Sequence, residues 1–276
     1  METGESNIIY SFDDKSFKYD LAKNHHLAIE ISEKSITYCL LNNLTNTYCL
    51  LQSYKIESID EISNIINNSK HLLLSFSSTS IGLINLPNTL VPKEFYNKKN
   101  AKSIFNINSQ ADEVIKDDYL NSGDTVNIYT LSNQLNETIK NYFPKAKIKS
   151  NSTILLESLM RDNKKTENFS IFLKDNIANM IFINNSKIIF QNKFEYSTNE
   201  DLLYYTLFSF QQLGISAEKI SLNLFGDLED NQFKLLYDYI RDINLGNRPK
   251  DFIFPKEAST IKNHYFFGLF NQVLCA

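Results

Sequence analysis

The alternation of apolar and polar residues predicts a run of secondary-structure elements in the first half of the chain. Three strands are expected at 26–32, 35–42 and 47–56. A helix then extends to about residue 68, and the apolar run at His71–Phe76 has the composition of a buried strand. Three strands, a helix and a further strand in this order indicate an α/β domain.

The second half repeats this order about 140 residues later. Strands are predicted at 169–174, 177–183, 187–196 and 219–225, with a helix before the last of them. That helix begins after Thr198 and ends at Gly214. Sequence identity between the halves is slight, so what repeats is a pattern, and it favours duplication over chance.

Both predicted helices start at a possible capping box. Ser58 and Glu61 have the required spacing in the first half, as have Thr198 and Asp201 in the second. The turns Asp175-Asn176 and Asn184–Ser186 separate the strands of the second half. These signals place the two helices at the same step of the repeat.

An elaboration at 87–131 lies between the halves. It is predicted to contain a helix at 93–105 and two strands. The chain then continues with a helix at 132–142, a short strand at Ile148 and a helix through Met160 that bridges the halves. Asn151 or Ser152 would cap the bridging helix. The sequence thus predicts a polar N-terminal leader at 1–25, a first lobe at 26–150, and the bridging helix with a second lobe at 151–276.

The C-terminal segment carries an apolar stripe at helical spacing, which predicts a packing face. Its members are Tyr265, Phe266, Leu269, Phe270, Val273 and Leu274. Such a stripe more often packs in a core than holds a ligand.

The distribution of charge and of apolar residues limits the partners that we expect for this chain. Up to Ser150 there are 15 Lys and Arg against 17 Asp and Glu, so each half has a net charge of −2 out of −4 in total. The local lysine groups are Lys98, Lys99 and Lys102, then Lys145, Lys147 and Lys149; they lie beside acidic stretches such as Asp112-Glu113 and Asp117-Asp118. We therefore expect no nucleic-acid partner. Without a signal peptide or a membrane-length apolar run, we expect no membrane contact and a cytoplasmic location.

The residues suited to metal or thiol chemistry do not form a recognisable site. Cys39, Cys49 and Cys275 have no metal spacing and are expected to be buried thiols, although the first two could face each other in a hairpin. The pair His25-His26 is expected to be exposed. The acidic loop at 227–230 lacks the glycine of a calcium loop, so no metal site is predicted.

Two copies of a three-strand meander, each followed by a helix and a strand and joined by a bridging helix, resemble the actin-like ATPase superfamily, which has a ribonuclease H-like fold. More narrowly, the chain is similar over nearly its whole length to an uncharacterised family of Bacteroidetes proteins. The marks of that family are Leu27–Ile31, Leu90–Pro92 and Tyr265–Phe267 with Cys275. The resemblance implies two duplicated actin-like lobes, each a mixed sheet with helices.

The superfamily's phosphate loops are degenerate in this sequence. Active members have Asp-x-Gly-[Ser/Thr] in the first hairpin, whereas Glu30, Ser32 and Ser35 stand here without a glycine. The second Asp-x-Gly is replaced by Asp175-Asn176, and the Gly-Gly pair that contacts adenosine is reduced to Gly226. Glycine lets backbone N–H groups approach phosphate, and Glu33 adds a repulsive charge.

Two functions remain open at this stage. The first is a non-catalytic, cytoplasmic pseudoenzyme that binds an unidentified protein partner through the interdomain cleft or the elaboration, with no cofactor, no metal and no catalytic residue. The second is a nucleotide-binding switch or weak ATPase or kinase that uses ATP with Mg²⁺. The residues that would bind the nucleotide are Glu30, Ser32, Ser35, Asp175, Asn176 and Gly226. Oligomeric state is left open.

Overall fold

The computed structural model describes residues 8–105, 113–121, 123–162 and 167–275, and the chain divides into two compact units. Unit 1 comprises Met1–Ile154, Pro249–Ile261 and Gly268–Ala276, and unit 2 comprises Leu155–Arg248 and Lys262–Phe267. The predicted division had a single boundary after residue 150. The observed units differ from it, because two C-terminal segments belong to unit 1. Outside the described residues lie residues 1–7 of the predicted leader, Asp112 and the rest of 106–112, residue 122, residues 163–166 and Ala276.

Unit 1 contains a six-stranded mixed sheet and a three-stranded sheet. The strands are β1 Ile8–Asp13, β2 His25–Ile31, β3 Ser35–Asn42, β4 Thr47–Lys55, β5 Ser78–Leu83, β6 Asn88–Pro92, β7 Glu113–Tyr119, β8 Thr125–Ser132 and β9 Lys147–Ser150. The helices are α1 Asp60–Asn68, α2 Ala101–Ile104, α3 Asn133–Tyr142 and α4 Asn151–Asp162, the last of which continues into unit 2. The large sheet has the order β1-β4-β3-β2-β5-β9, and the small sheet has the order β6-β8-β7.

Unit 2 contains one five-stranded sheet. The elements are β10 Asn168–Lys174, β11 Ile177–Asn184, β12 Lys187–Glu195, α5 Asn199–Leu213, β13 Ser221–Gly226, α6 Asp230–Tyr237 and β14 Asp242–Leu245. The strand order is β12-β11-β10-β13-β14. Helix α7, Phe267–Cys275, begins in this unit and continues in unit 1.

The two large sheets share one topology. In unit 1, β4, β3 and β2 form an antiparallel meander and β5 and β9 then add in parallel. In unit 2, β12, β11 and β10 form the meander and β13 and β14 add in parallel. The predicted fold class is confirmed: each lobe is a mixed sheet with helices, arranged in the actin-like order.

Each sheet buries an apolar core on one face. In unit 1 the core includes alternate residues of β2, among them Leu27, Ile29 and Ile31, with Ile62 and Ile66 of α1. In unit 2 the core includes the corresponding alternate residues of β10, which pack with Leu202 and Phe210 of α5. The apolar residues that alternate along the strands and those spaced by 3.6 positions along the helices therefore pack together on the same side of each sheet.

Helix α5 has the ends that its sequence predicts. The Thr198 hydroxyl accepts a hydrogen bond from the N–H of Asp201, and the Asp201 carboxylate accepts one from the N–H of Thr198. The helix ends at Gly214, whose φ of 67° is left-handed. In the first half the predicted capping box is wrong, because Ile59 is the N-cap of α1 and Glu61 accepts from the N–H of Glu57 instead.

The strand predicted at His71–Phe76 is also wrong. These residues form a turn, and the strand β5 follows at Ser78–Leu83. The helix predicted at 93–105 is broken into short 3-10 turns at Lys93–Phe95 and Lys98–Asn100 and the single turn of α2. Residues 8–13, within the predicted leader, form β1 and pair with β4 at the edge of the sheet.

The C-terminal helix is shorter and differently faced than predicted. Phe266 has a φ of 59° and stands outside the helix. Leu274 is exposed, while the polar residues Asn271 and Gln272 are buried. The predicted stripe is therefore wrong at its two ends.

The histidine pair and the cysteines differ in outcome. His25 and His26 are both buried, so the expected exposed pair is wrong. Cys39, Cys49 and Cys275 are buried free thiols, as expected. Cys39 pairs with Leu51 in the ladder, so Cys49 does not stand opposite it. Across the described ranges, none of the helices combines the length and apolar character needed to cross a bilayer.

Candidate functional site

The first predicted phosphate turn, between β2 and β3, is closed by its own side chains. The Ser32 hydroxyl accepts hydrogen bonds from the N–H groups of Lys34 at 3.2 Å and Ser35 at 3.0 Å. The N–H of Ser32 donates to the carbonyl of Ser35, and the two serine hydroxyls lie 3.0 Å apart. Both serines are buried. The N–H groups of Ser32, Lys34 and Ser35 are therefore already used inside the turn.

Glu30 is a buried residue of β2 that lies close to the first turns of two helices. A methyl group added at Gly268, in α7, would lie 3.0 Å from Oε1 of Glu30, and it would also overlap Oδ1 of Asn151, the first residue of α4. A carboxylate is favourable near the positive end of a helix. Glu30 therefore lies in the packed interior of unit 1.

The second predicted turn is a two-residue hairpin between β10 and β11. Asp175 and Asn176 both have left-handed φ values, 54° and 62°. That combination is the type I′ turn of tight hairpins, which Asp and Asn tolerate without glycine. The carbonyl of Asn176 accepts from the N–H of Tyr196, and Oδ2 of Asp175 is a buried atom with no hydrogen-bond partner among the described residues.

The third predicted turn follows β13 and uses Gly226. The φ of Gly226 is 87°, and a Cβ there would overlap the carbonyl oxygen of Leu173. The N–H of Gly226 donates to the carbonyl of His264, and the N–H of Asp227 donates to that of Leu173, each at 2.8 Å. The Asp227 carboxylate pairs with Lys174 at 2.9 Å. Here too the N–H groups point into the protein.

The six candidate residues fall into two sets. Glu30, Ser32 and Ser35 lie together in unit 1 at the end of β2 and the start of β3. Asp175, Asn176 and Gly226 lie in unit 2, where the β10–β11 hairpin and the end of β13 are linked through Leu173. Among the described residues, no three His, Cys, Asp or Glu side chains are grouped as metal ligands.

Sequence reasoning missed a buried chain of polar residues on the second face of the unit 1 sheet. Ser80 donates to Oε1 of Gln272 at 2.8 Å, and Nε2 of Gln272 donates to the carbonyl of Ile29 at 3.0 Å. Because Ser80 gives its proton to Gln272, the Nε2–H of His26 donates to Ser80, and Nδ1 accepts from Ser78. Burial lowers the pKa of His26 to about 4, with Lys147 adding to the effect, so the imidazole is neutral.

A second buried polar group centres on Asp118 of β7. Oδ2 accepts from the N–H of Ser150 and from the hydroxyl of Thr153, each at 2.8 Å, and Oδ1 accepts from Tyr129 at 3.3 Å. Burial raises the pKa of Asp118 to about 6 against the effect of these donors. In the sequence, Asp118 follows another aspartate, and nothing distinguished it from an acidic residue on the surface.

Comparison with known proteins places the chain among proteins of known fold and unestablished role. The sequence matches DUF3822, described as a protein of unknown function, over residues 14–243. A Bacteroides thetaiotaomicron protein with an actin-like ATPase fold and unknown function is 19% identical, with a TM-score of 0.77 over 83% of this chain and 93% of that one. The PilM-PilN type IV pilus biogenesis complex is 11% identical, with a TM-score of 0.62 over 92% and 98%. No protein with a curated description matches.

Proposed function

The chain belongs to the DUF3822 family, and we propose that it is a non-catalytic, cytoplasmic pseudoenzyme that uses an actin-like fold to bind another protein. One observation carries the proposal: in the first and third phosphate turns, the N–H groups described above are bound to oxygens of the chain itself. Binding of a triphosphate depends on such donors being free to point at the ligand.

The residues present do not fit ATP with Mg²⁺. Opening the first turn would break the bonds that Ser32 accepts, and opening the third would break those to Leu173 and His264. Each buried donor or acceptor left without a partner costs about 1–3 kcal/mol. The carboxylates of Glu33 and Asp227 would add like-charge repulsion to a polyphosphate. A nucleotide would have to offset all of these costs.

The elaboration at 87–131 offers the contact surface that we propose. Its small sheet has a core of its own, formed by Val91, Val126 and Ile128. Two aromatic side chains stand on its outside: Phe95 is 71% exposed and Tyr119 is 49% exposed. Aromatic residues are enriched at protein interfaces, where they contribute most of the binding energy.

PilM supplies an example of the fold in a protein complex. It is found with PilN in a type IV pilus biogenesis complex, and it shares the fold of this chain. The example supports a protein-binding role without identifying the partner here.

Titration of the full chain with ATP and Mg²⁺ in a calorimeter is expected to show no binding tighter than about 100 µM, equivalent to about −5.5 kcal/mol. The Ser32→Gly variant frees the N–H groups of Lys34 and Ser35, and it is expected to stay silent because the third turn remains closed. An active actin-like ATPase run in parallel verifies the assay. A dissociation constant of the wild-type chain for ATP below about 100 µM would support the nucleotide switch instead.

The contact surface is tested with paired double variants. We expect chemical cross-linking in the native cell to capture the same partner with the wild-type chain and with Tyr204→Ser/Phe208→Ser. The two residues of that control are exposed aromatics of α5 in unit 2. Capture is expected to fall at least about tenfold with Phe95→Ser/Tyr119→Ser, because interface aromatics are frequent hot spots. Equal capture by both variants would exclude the elaboration.

A further inference from the structure

Unit 2 contains a cavity of about 550 Å³ at the carboxyl ends of β13 and β14. Its apolar wall is formed by Leu228, Phe233 and Leu245, and its polar wall includes Asn247, Asn263 and His264. Ligand cavities typically have volumes of about 300–1,000 Å³, with mostly apolar walls and a few polar groups. In open α/β sheets, ligands bind outside the carboxyl ends of the parallel strands. Size, lining and position therefore all suit a small molecule.

The charges around this cavity balance. Lys262 and Asp230, the two charged side chains that line it, pair with each other at 3.3 Å. Burial lowers the pKa of His264, helped by Lys262 and opposed by Asp227, which favours the neutral imidazole. The nearby N–H groups of Gly226 and Asp227 are already bonded within the protein. Among the residues that line the cavity, the one cationic side chain is therefore paired, and the backbone N–H groups of the Gly226 turn are already used. An anionic group would find no partner of these two kinds, so the ligand should be uncharged.

His264 supplies an unmet hydrogen-bonding group in the cavity wall. The residue is 4% exposed, and its Nε2 has no hydrogen-bond partner among the residues that the structure describes. A buried polar atom without a partner is costly, and native proteins rarely keep one without a reason. Because Nε2 is covered, a ligand would reach the imidazole after the ring turns about its Cβ–Cγ bond.

We propose that this cavity binds an uncharged, largely apolar small molecule with one hydroxyl group, and that His264 forms the hydrogen bond to that hydroxyl. The apolar body would lie against Phe233 and Leu245. The site is separate from the proposed protein contact, so either proposal can fail without the other.

The test uses 2-naphthol as the probe and 2-methylnaphthalene, which lacks the hydroxyl, as its matched control. Each is titrated into the full chain and followed by protein-observed NMR. Wild-type protein is expected to bind 2-naphthol about tenfold more tightly than the control, the ratio expected for one neutral hydrogen bond. In His264→Phe the two affinities should become equal to within about twofold.

Leu245→Glu provides a second variant in case His264→Phe folds poorly. Leu245 is 45% exposed, so the substitution should be tolerated while it places a charge against the apolar ligand. Loss of 2-naphthol binding is expected. Retained binding would show that the probe lies elsewhere and would overturn the proposal, as would equal affinity of wild-type protein for both probes or no binding of either.

The stability of His264→Phe gives an independent readout. Removing a buried polar atom that has no partner should raise the melting temperature of the ligand-free protein, whereas a histidine kept only for structure would lower it on replacement. Adenosine serves as a competitor. If it displaces 2-naphthol at a similar concentration, the cavity is a nucleoside site and the proposal is wrong.

Discussion

Replacing Gly226 with alanine is expected to lower the free energy of unfolding of unit 2 by about 4 kcal/mol. The new Cβ would overlap the carbonyl oxygen of Leu173, which is backbone and cannot move aside like a flexible side chain. That carbonyl also accepts the hydrogen bond from Asp227, so a shift would break this bond as well. The left-handed φ of 87° adds about 1–2 kcal/mol for a residue with a side chain. Effects of this size arise when several such costs coincide.

Gly214→Ala is the matched control, since Gly214 lies in the same unit with a similar φ of 67°. A Cβ there meets no atom within 4 Å. It is expected to cost only about 1–2 kcal/mol, the backbone part alone. Guanidinium unfolding followed by circular dichroism measures both, and the chain has no tryptophan to complicate tyrosine fluorescence as a second probe. Equal losses at the two glycines would contradict the close approach at Leu173.

The sequence predicted well those elements whose stability depends on local chemistry or on a regular apolar face. The capping box at Thr198, the glycine end of α5 and the Asp175-Asn176 turn are short-range features, and each formed as expected. The meander strands were found because one face of each sheet is apolar. The three-strand meander that both sheets share followed from these elements.

Strand β5 shows why the remainder could not be predicted. The sequence Ser78–Leu83 has little apolar character, whereas the preceding His71–Phe76 has much more. Ser80 of β5 is buried because partners distant in sequence satisfy its hydroxyl, which bonds to His26 and to Gln272. Gly82 leaves room for the Gln272 side chain, since a Cβ there would lie 2.6 Å from its Nε2. Hydrophobicity along one segment carries no information about such pairing.

The sequence predicted which residues occupy the phosphate turns of the superfamily, but it did not predict how their side chains are arranged. The superfamily pattern shows directly that a glycine is missing at Ser32 and that none follows Asp175. That the Ser32 hydroxyl occupies the donors of Lys34 and Ser35 depends on the fold of the turn. Glu30 was a candidate nucleotide-binding residue in the sequence, and its place beside Gly268 involves a residue more than 200 positions away.

The pH dependence of unit 1 stability is expected to contain two opposed contributions. His26 has a folded pKa of about 4, below its usual 6.5, so between these values the unfolded chain binds a proton that the folded chain does not. Its contribution, about 3 kcal/mol, is present above pH 6.5 and is lost as pH falls to 4. Asp118 has a folded pKa of about 6, above its usual 3.8. It contributes about 3 kcal/mol that is present at pH 4 and is lost as pH rises through 6.

Substitution at either residue should expose the contribution of the other. Asp118→Asn resembles the protonated carboxyl: its carbonyl accepts from Ser150 and Thr153, and its amide donates to Tyr129. This variant should be at least as stable as wild type at pH 7, and it should lose about 3 kcal/mol between pH 6.5 and 4 because His26 is no longer opposed. His26→Asn should show the reverse slope, gaining stability as pH falls from 6 to 4.

Denaturant unfolding at half-unit steps from pH 4 to pH 7 measures these slopes, and comparing variants removes the titration of all other groups. The double variant should return to the shallow profile of wild type whatever its absolute stability, because both titrating groups are gone. Asp118→Ala separates titration from hydrogen bonding: it also removes the pH-dependent group but leaves Ser150, Thr153 and Tyr129 without an acceptor. It should therefore be about 3 kcal/mol less stable than Asp118→Asn at every pH. Parallel profiles for wild type and Asp118→Asn would show that the carboxyl is ionised throughout this range.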